Sequence, residues 1–267
     1  ISLGLVGSEM CIRDRIAVAG FTNLTRDHLD YHGTMENYFQ AKRRVFTMCK
    51  TAVINIDDEY GKRLAQEFSD IAVTYSAEGN ADYHAEFIRM NATGCSYMLV
   101  NEREKTACRV DMNMTGLYNV QNSLCAIAMV TALGFDMTEC AKALSDLDGV
   151  DGRMNVVYRG DFTVITDYAH TDDALIKVLS TLKPLTKGRL ICVFGAAGDR
   201  DKEKRPMMAK AAEDNADILV ITSDNPAHEN PDEIIREVMT GISGKKPCRC
   251  ITDRREAIAL SLIHISE

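Results

Sequence analysis

Residues Thr51 to Tyr75 read TAVINIDDEYGKRLAQEFSDIAVTY, an apolar run, a charged amphipathic run and a second apolar run. The pattern predicts a strand over Thr51 to Ile56, a helix over Asp58 to Phe68 and a strand over Ile71 to Tyr75. A strand that returns through a crossover helix pairs in parallel with its neighbour, so the chain is an α/β protein. Upstream, Ile16 to Ala19 ends at Gly20 as a short buried strand and delivers the polar segment Thr22 to His32 at its carboxyl end. In open α/β sheets that edge is where ligands sit. Thr34 can cap a helix reaching about Cys49, in which Met35, Tyr38, Phe39, Val45, Phe46 and Cys49 follow the spacing of one buried face with Lys42 in its middle.

Downstream, Ala81 to Met112 changes to short alternating strands, expected as an antiparallel insertion. Tyr118 to Leu133 is a long apolar helix closed by Gly134, and Asp136 with Glu139 forms a capping box for a helix to Leu147. Gly149 to Arg153 reads as a hinge. Strand and helix then alternate again: Phe162 to Thr166, Asp172 to Leu182, Arg189 to Phe194, Lys202 to Asn215, Asp217 to Thr222 and Pro231 to Gly241. Asn230, Pro231 and Glu233 occupy favoured positions at the start of the last helix.

At 267 residues the chain holds one large domain or two modest ones. With 46% hydrophobic and 26% charged residues it is composed to fold, and a net charge of −8 offers no general basic field for nucleic acid. The apolar run Cys125 to Val130 is far below the roughly 18 residues that cross a bilayer. Nine scattered cysteines give neither a paired metal pattern nor a disulfide framework and read as free thiols of a cytoplasmic protein. Residues 1–15 and 261–267 resemble translated adapter sequence and are expected to be non-native tails. The domains expected between them are 16–151 and 152–260.

Several groups could carry chemistry. An amine on a buried stripe is pushed toward its neutral form, and such an amine can attack carbon dioxide to give a carbamate able to meet magnesium. Lys42 therefore either does this or snorkels past the stripe to solvent. Asp27, His28, Asp30 and His32 concentrate possible metal ligands and acid-base groups at one strand end, or simply hydrogen-bond a turn. Asp167, Tyr168, Ala169 and His170 follow a strand and precede a helix opening at Thr171, where donors can face a phosphate or ribose. Gly195 to Arg205 (GAAGDRDKEKR) follows the next strand, with Arg200 able to grip a carboxylate and Lys202 to Arg205 otherwise expected as a solvated helix start. Asp224, Asn225, Pro226 and Ala227 end the strand after that, so three loops could converge on a ligand. Neither a GxGxxG fingerprint nor a Gly-Lys-Ser/Thr phosphate loop occurs.

Taken together, Thr22 to Lys42 (TNLTRDHLDYHGTMENYFQAK), Gly116 to Asn122 (GLYNVQN), Gly152 to Met154, Asp167 to His170 (DYAH), Gly198 to Pro206 (GDRDKEKRP) and Asp224 to Pro226 (DNP) resemble, in order and spacing, the Mur ligase family. The fold implied is part of a central domain with a parallel sheet, followed by part of a Rossmann-like carboxyl-terminal domain. The resemblance is strongest to the branch that adds the third amino acid, L-lysine or meso-diaminopimelate, to UDP-N-acetylmuramoyl-L-alanyl-D-glutamate in peptidoglycan synthesis. That activity uses ATP and magnesium, forms an acyl phosphate on the glutamate carboxylate and serves cell-wall growth, cell shape and division. The resemblance implies that Lys42 is the carbamylated lysine and His28 a magnesium ligand. It implies that Asn119, Arg153, Asp167 and His170 contact the nucleotide, and that Arg200 with Asp224, Asn225, Pro226 and Ala227 form the amino-acid pocket. Diaminopimelate-adding members usually carry Arg after Asp-Asn-Pro, so Ala227 favours lysine. Without the phosphate loop the isolated chain is expected not to turn over. Alternatives are a non-catalytic binding fragment and a folylpolyglutamate-type ligase, which shares the architecture.

Overall fold

Alternate residues of the strand Cys49–Asn55 bury on opposite faces, and Ala52, Val53 and Ile54 are all inaccessible to solvent, so the sheet is covered on both sides. The computed structural model describes residues 16–91 and 94–263. The tail expectations for 1–15 and for 264–267 lie outside the described residues. The chain divides into two compact units, one of residues 1–24 and 34–148 and one of residues 25–33 and 149–267.

The first unit contains β1 (Ile16–Phe21). After it the short helix α1 (Leu29–His32) belongs to the second unit. The first unit resumes with α2 (Met35–Arg43), β2 (Cys49–Asn55), α3 (Glu59–Glu67), β3 (Ala72–Ser76), β4 (Tyr83–Asn91), β5 (Gly94–Asn101) and β6 (Thr106–Met112). It closes with α4 (Leu117–Ala132) and α5 (Met137–Ser145). The strands form one sheet in the order β1-β2-β3-β4-β5-β6, parallel through β4 and antiparallel beyond it. In register, Ile54 faces Phe21 on one side and Thr74 on the other. The antiparallel strands expected over 81–112 are present and extend the parallel sheet at its edge. One face packs Val53, Tyr75, Leu99 and Val110 with Leu124 and Ile127 of α4. The other packs Phe21, Ala52 and Ile54 with Phe39 of α2 and Leu64 of α3. Gly61 lets α3 approach the end of β2, because a Cβ there would lie 1.8 Å from the Asn55 carbonyl oxygen.

Helix α2 is shorter than its hydrophobic spacing predicts. It ends at Arg43, and a 3₁₀ turn over Arg44–Thr47 resets the phase of the stripe. Phe39 and Phe46 are buried, while Lys42, about 60° around the helix from Phe39, is only half-buried. The dry surroundings expected for Lys42 are therefore not found.

The second unit contains a hairpin, β7 (Asn155–Arg159) with β8 (Thr163–Thr166), followed by α6 (Asp172–Leu182). Then come β9 (Ile191–Phe194), α7 (Lys204–Asn215), β10 (Ile218–Ile221), α8 (Pro231–Met239), β11 (Cys248–Cys250) and α9 (Arg254–Ile263). The last three strands form a parallel sheet in the order β11-β10-β9. Its core joins Phe194, Leu219 and Ile221 with Leu175, Leu179, Met208, Ala212, Ile234 and Val238 from the helices. Every cysteine among the described residues is a free thiol, and none of their helices is long and apolar enough to cross a membrane.

Candidate functional site

Parallel strands leave their following loops on one edge, and in the second unit the loop after β9 and the loop after β10 touch there. Gly198 N–H donates to the Asn225 carbonyl at 2.8 Å. A Cβ on Gly198 would lie 1.9 Å from the Pro226 carbonyl oxygen, so only glycine permits this approach. Asp199 N–H donates to Glu229 Oε1 at 2.7 Å, and Asp199 Oδ2 lies 2.5 Å from His228 Nδ1. Asp199 and Ala227 both take left-handed backbone angles, φ 52° and φ 48°, uncommon for residues with a Cβ. Asn225 fixes its own turn by accepting from Ala227 N–H at 3.1 Å. Two of the three loops expected to converge are therefore joined through backbone and side chain, with Asp224, Asn225, Pro226 and Ala227 on one and Arg200 exposed on the other.

What holds them is a residue that the sequence reading left in solvent. Arg205, in the first turn of α7, is 0% exposed. Its guanidinium pairs with both oxygens of Glu229, at 3.0 and 2.8 Å, with Glu237 of α8 at 2.5 Å and with the Ala197 carbonyl at 3.2 Å. Lys202 adds a second cation 2.9 Å from Glu229. The Arg205 guanidinium, then Lys202 and the Asp199 amide, hold the Glu229 carboxyl well below the usual carboxylate range. Lys204 is also buried. The solvated helix start expected for Lys202 to Arg205 is thus corrected at Lys204 and Arg205. A signal was present: Lys204 and Arg205 precede Met208, Ala209, Ala211 and Ala212 at helical spacing and continue the same buried face.

A second cluster gathers on Asp27. Its Oδ2 lies 3.4 Å from Nε2 of both His28 and His170, its Oδ1 lies 3.6 Å from Lys204 Nζ, and Oδ1 accepts from His28 N–H at 3.0 Å. Burial pushes this carboxyl up, but the hydrogen bond from His170, the charges of Lys204 and His28 and the His28 amide outweigh it, and the group stays well below its usual range. The same contact with Asp27 raises the His170 pKa. His28 itself is left-handed at φ 55°. Nearby Arg26 pairs with Glu203 at 2.5 Å and Asp201 at 3.6 Å. His32 stacks edge-on against Tyr31.

Asp167 anchors the turn after β8: its Oδ2 accepts from Met154 N–H at 2.9 Å and its Oδ1 from Ala169 N–H at 2.8 Å. Arg153 lies 5.0 Å over the ring of Tyr168, which is itself exposed and edge-on to His170. Thr171 caps α6 by accepting from Ala174 N–H at 3.2 Å. The structure thus brings His28 and His170 onto one carboxylate and lays Arg153 over Tyr168 of the turn that holds Asp167 and His170. In the first unit, Lys42 Nζ sits 5.2 Å over the Tyr38 ring. Buried Asn119, in the first turn of α4, donates to the Thr115 carbonyl at 2.8 Å. Among the described residues no group of three or more His, Cys, Asp and Glu is arranged to hold a metal.

Comparison with known proteins gives two family matches, the Mur ligase middle domain over residues 8–130 and the Mur ligase glutamate ligase domain over residues 152–267. The chain is 42% identical over 246 residues to UDP-N-acetylmuramoyl-L-alanyl-D-glutamate–2,6-diaminopimelate ligase 1 of Clostridium acetobutylicum, covering 91% of this chain and 50% of that protein. It is 42% identical over 247 residues to the ligase of the same name from Aquifex aeolicus, covering 89% and 49%. The chain thus spans about half the length of the curated relatives it matches. A solved 2,6-diaminopimelate ligase structure superposes with TM-score 0.59 at 38% identity, over 92% of this chain and 52% of that one. A likeness of fold alone extends to Mycobacterium tuberculosis folylpolyglutamate synthase, with TM-score 0.75 at 19% identity, over 93% and 57%.

Proposed function

The chain belongs to the Mur ligase family, and from that premise we propose that it forms the central and carboxyl-terminal part of a ligase joining a diamino acid to UDP-N-acetylmuramoyl-L-alanyl-D-glutamate at the expense of ATP. The observation that carries this is the pair of loops joined at Gly198 and Asn225, which turns two loop segments into one polar edge. Of the two amino acids considered, we favour 2,6-diaminopimelate, for which the relatives at 42% identity are named. Ala227 alone, the ground for preferring lysine, describes one position of the pocket.

In this reading Asp224 and Asn225 receive an ammonium group, Arg200 a carboxylate, and Pro226 and Ala227 shape the wall between them. Asp167 holds the turn that presents Arg153, Tyr168 and His170 to a nucleotide, with Arg153 supplying charge to phosphate and the ring a flat face. Asn119, which orders the first turn of α4, is likewise assigned to nucleotide binding. Magnesium binds through one or two protein carboxylates, substrate phosphates and several waters; the Asp27 carboxylate is an oxygen donor of that kind, and His28, which faces it, is assigned as a further ligand. When bound, the cation would neutralise phosphate charge. Lys42 is assigned as the carbamate-bearing lysine. Its half-buried side chain, with Nζ over the Tyr38 ring, is the group that would carry the carbamate. With a substrate linked to a nucleotide, the enzyme is assigned to the cytoplasm, where it would feed the cell-wall synthesis that sustains cell shape and division.

With no Gly-Lys-Ser/Thr loop in its sequence, the 267-residue chain should bind the diamino acid yet release no phosphate. The decisive experiment mixes the chain with UDP-N-acetylmuramoyl-L-alanyl-D-glutamate, ATP and diaminopimelate, and follows phosphate release alongside calorimetric titration with diaminopimelate. Binding without turnover is the expected result. Absence of any diamino-acid binding would remove the proposed pocket, and steady turnover would refute the inactivity of the isolated chain. For Lys42, an active relative with the matching residue changed to Ala should lose phosphoryl transfer, and unchanged activity would remove it from the mechanism.

A further inference from the structure

The end of the third strand of the sheet also reaches the joined loops, and it brings a guanidinium. Thr252, just beyond β11, accepts from Ser223 N–H and from Thr222 Oγ1, both at 3.4 Å, which lays the segment after β11 along the segment after β10. Arg254, two residues on, donates from Nη1 to the Ser223 carbonyl at 2.8 Å, and the same atom lies 3.4 Å from Asp224 Oδ1. Its Nε and Nη2 make no hydrogen bond among the described residues, and the side chain is 47% exposed. One corner of the planar fork is therefore spent on fixing its position, and the edge that could hold a carboxylate with two parallel hydrogen bonds remains open. The residue's place in its own helix gives no reason for a cation: it begins α9, the positive end of the helix dipole, whose first turn is already capped by Asp253 accepting from Glu256 N–H at 2.9 Å.

A carboxylate and a guanidinium side by side match an ammonium and a carboxylate side by side, which is one end of an amino acid. We propose that Arg254 is a specificity-determining residue that receives the second carboxylate of a diamino dicarboxylic acid while Asp224 receives the ammonium next to it. This rests on the amino-acid pocket proposed above. A diamino dicarboxylic acid carries two such ends, and the amine that attacks an acyl phosphate must be free of an ion-pair partner. The end held by Asp224 and Arg254 is therefore the one that does not react. Lysine has an amine at that end and no carboxylate, so it leaves the Arg254 fork unused. Arg254 thus supplies a cation at the pocket although position 227 is alanine.

The test compares meso-diaminopimelate and L-lysine, which differ by that one carboxylate, in calorimetric titrations of the 267-residue chain and of its Arg254→Met and Arg254→Lys variants. The unaltered chain should bind diaminopimelate at least tenfold more tightly than lysine. Arg254→Met should erase that preference by weakening diaminopimelate at least tenfold while changing lysine less than twofold, so lysine binding doubles as the check that the pocket is intact. Arg254→Lys, which keeps the charge and loses the fork, should fall between. Equal weakening of both amino acids would overturn the proposal and leave Arg254 as a brace for the Ser223 carbonyl. No change for either would also overturn it. If the unaltered chain bound neither, the pocket itself would be refuted and Arg254 with it, whereas unchanged diaminopimelate binding by the Met variant would refute Arg254 alone.

Discussion

Changing Arg205 to Met keeps an unbranched side chain of similar length and deletes the guanidinium that joins the loop after β9 to the loop after β10. In the native chain that group serves four acceptors, two on Glu229, one on Glu237 and the Ala197 carbonyl, with none of its surface in water. Breaking a buried pair by removing one partner costs about 3–5 kcal/mol, because the remaining charge has lost its counterion in a poorly solvated place. Here the carboxylates left behind are not fully stranded: Glu229 keeps Lys202 and the Asp199 amide, and the Glu237 side chain is 41% exposed. The lower end, about 3 kcal/mol, is the expected loss. Urea denaturation of the chain measures it directly. With slopes of about 1–3 kcal/mol per molar urea, the midpoint for the second unit should fall by about 1–3 M. Arg205→Lys should recover only part of this, since an ammonium cannot pair with both Glu229 oxygens in the plane of the carboxylate. A midpoint within about 0.3 M of the unaltered chain would show that Arg205 does not hold the two loops together, and the argument built on its burial would fail.

Glu213, buried in α7, accepts from Ser243 Oγ at 2.7 Å, Ser243 N–H at 2.9 Å and Lys245 N–H at 3.0 Å. Burial pushes its carboxyl up, but these donors and the Gly244 amide outweigh it and bring it to about 2 from the model-peptide value of 4.5. Because the folded-state pKa is the lower one, the stabilisation is fully present above about 4.5 and is lost as pH falls through about 2, at up to about 1.4 kcal/mol per pH unit. Urea midpoints measured from pH 6 down to pH 2.5 should show this slope, and Glu213→Gln should flatten it; an identical slope in the variant would assign the acid sensitivity elsewhere. Gly198→Ala forces a Cβ against the Pro226 carbonyl and should cost about 1–3 kcal/mol while weakening diaminopimelate binding, and wild-type affinity in that variant would show that the loops need not touch. Asp136→Ala removes the cap that accepts from Thr138 and Glu139 N–H at 2.9 and 3.0 Å, and thermal melting should record a loss of about 1 kcal/mol with diamino-acid binding unchanged.

These residues also mark what a sequence can and cannot reveal. The cap at Asp136, the start of α8 at Pro231 and the span of α6 were all legible, because a cap and an amphipathic period are properties of neighbouring residues. Strand β11 was not, since Cys-Arg-Cys has no apolar run and becomes a strand only by pairing with β10. Strand β7 stayed hidden because its burial is partial and its only partner among the described residues is β8. The same division runs through the site. Strand-end position put Asp167, Arg200 and Asp224 in the polar loops that follow the strands, but a local pattern cannot tell a solvated arginine from a buried one. That difference depends on whether acceptors about 24 and 32 residues away, here Glu229 and Glu237, fold over it. Lys42 erred in the opposite sense. Its stripe was extrapolated across a helix end, and the 3₁₀ turn that follows breaks the phase on which the inference depended. In both cases the charge was visible and its solvation was not, and solvation is what separates a group that braces the pocket from one that meets the ligand. Arg205, buried with both terminal nitrogens engaged, can only do the first. Arg254, anchored at one nitrogen and open at the others, has the geometry for the second.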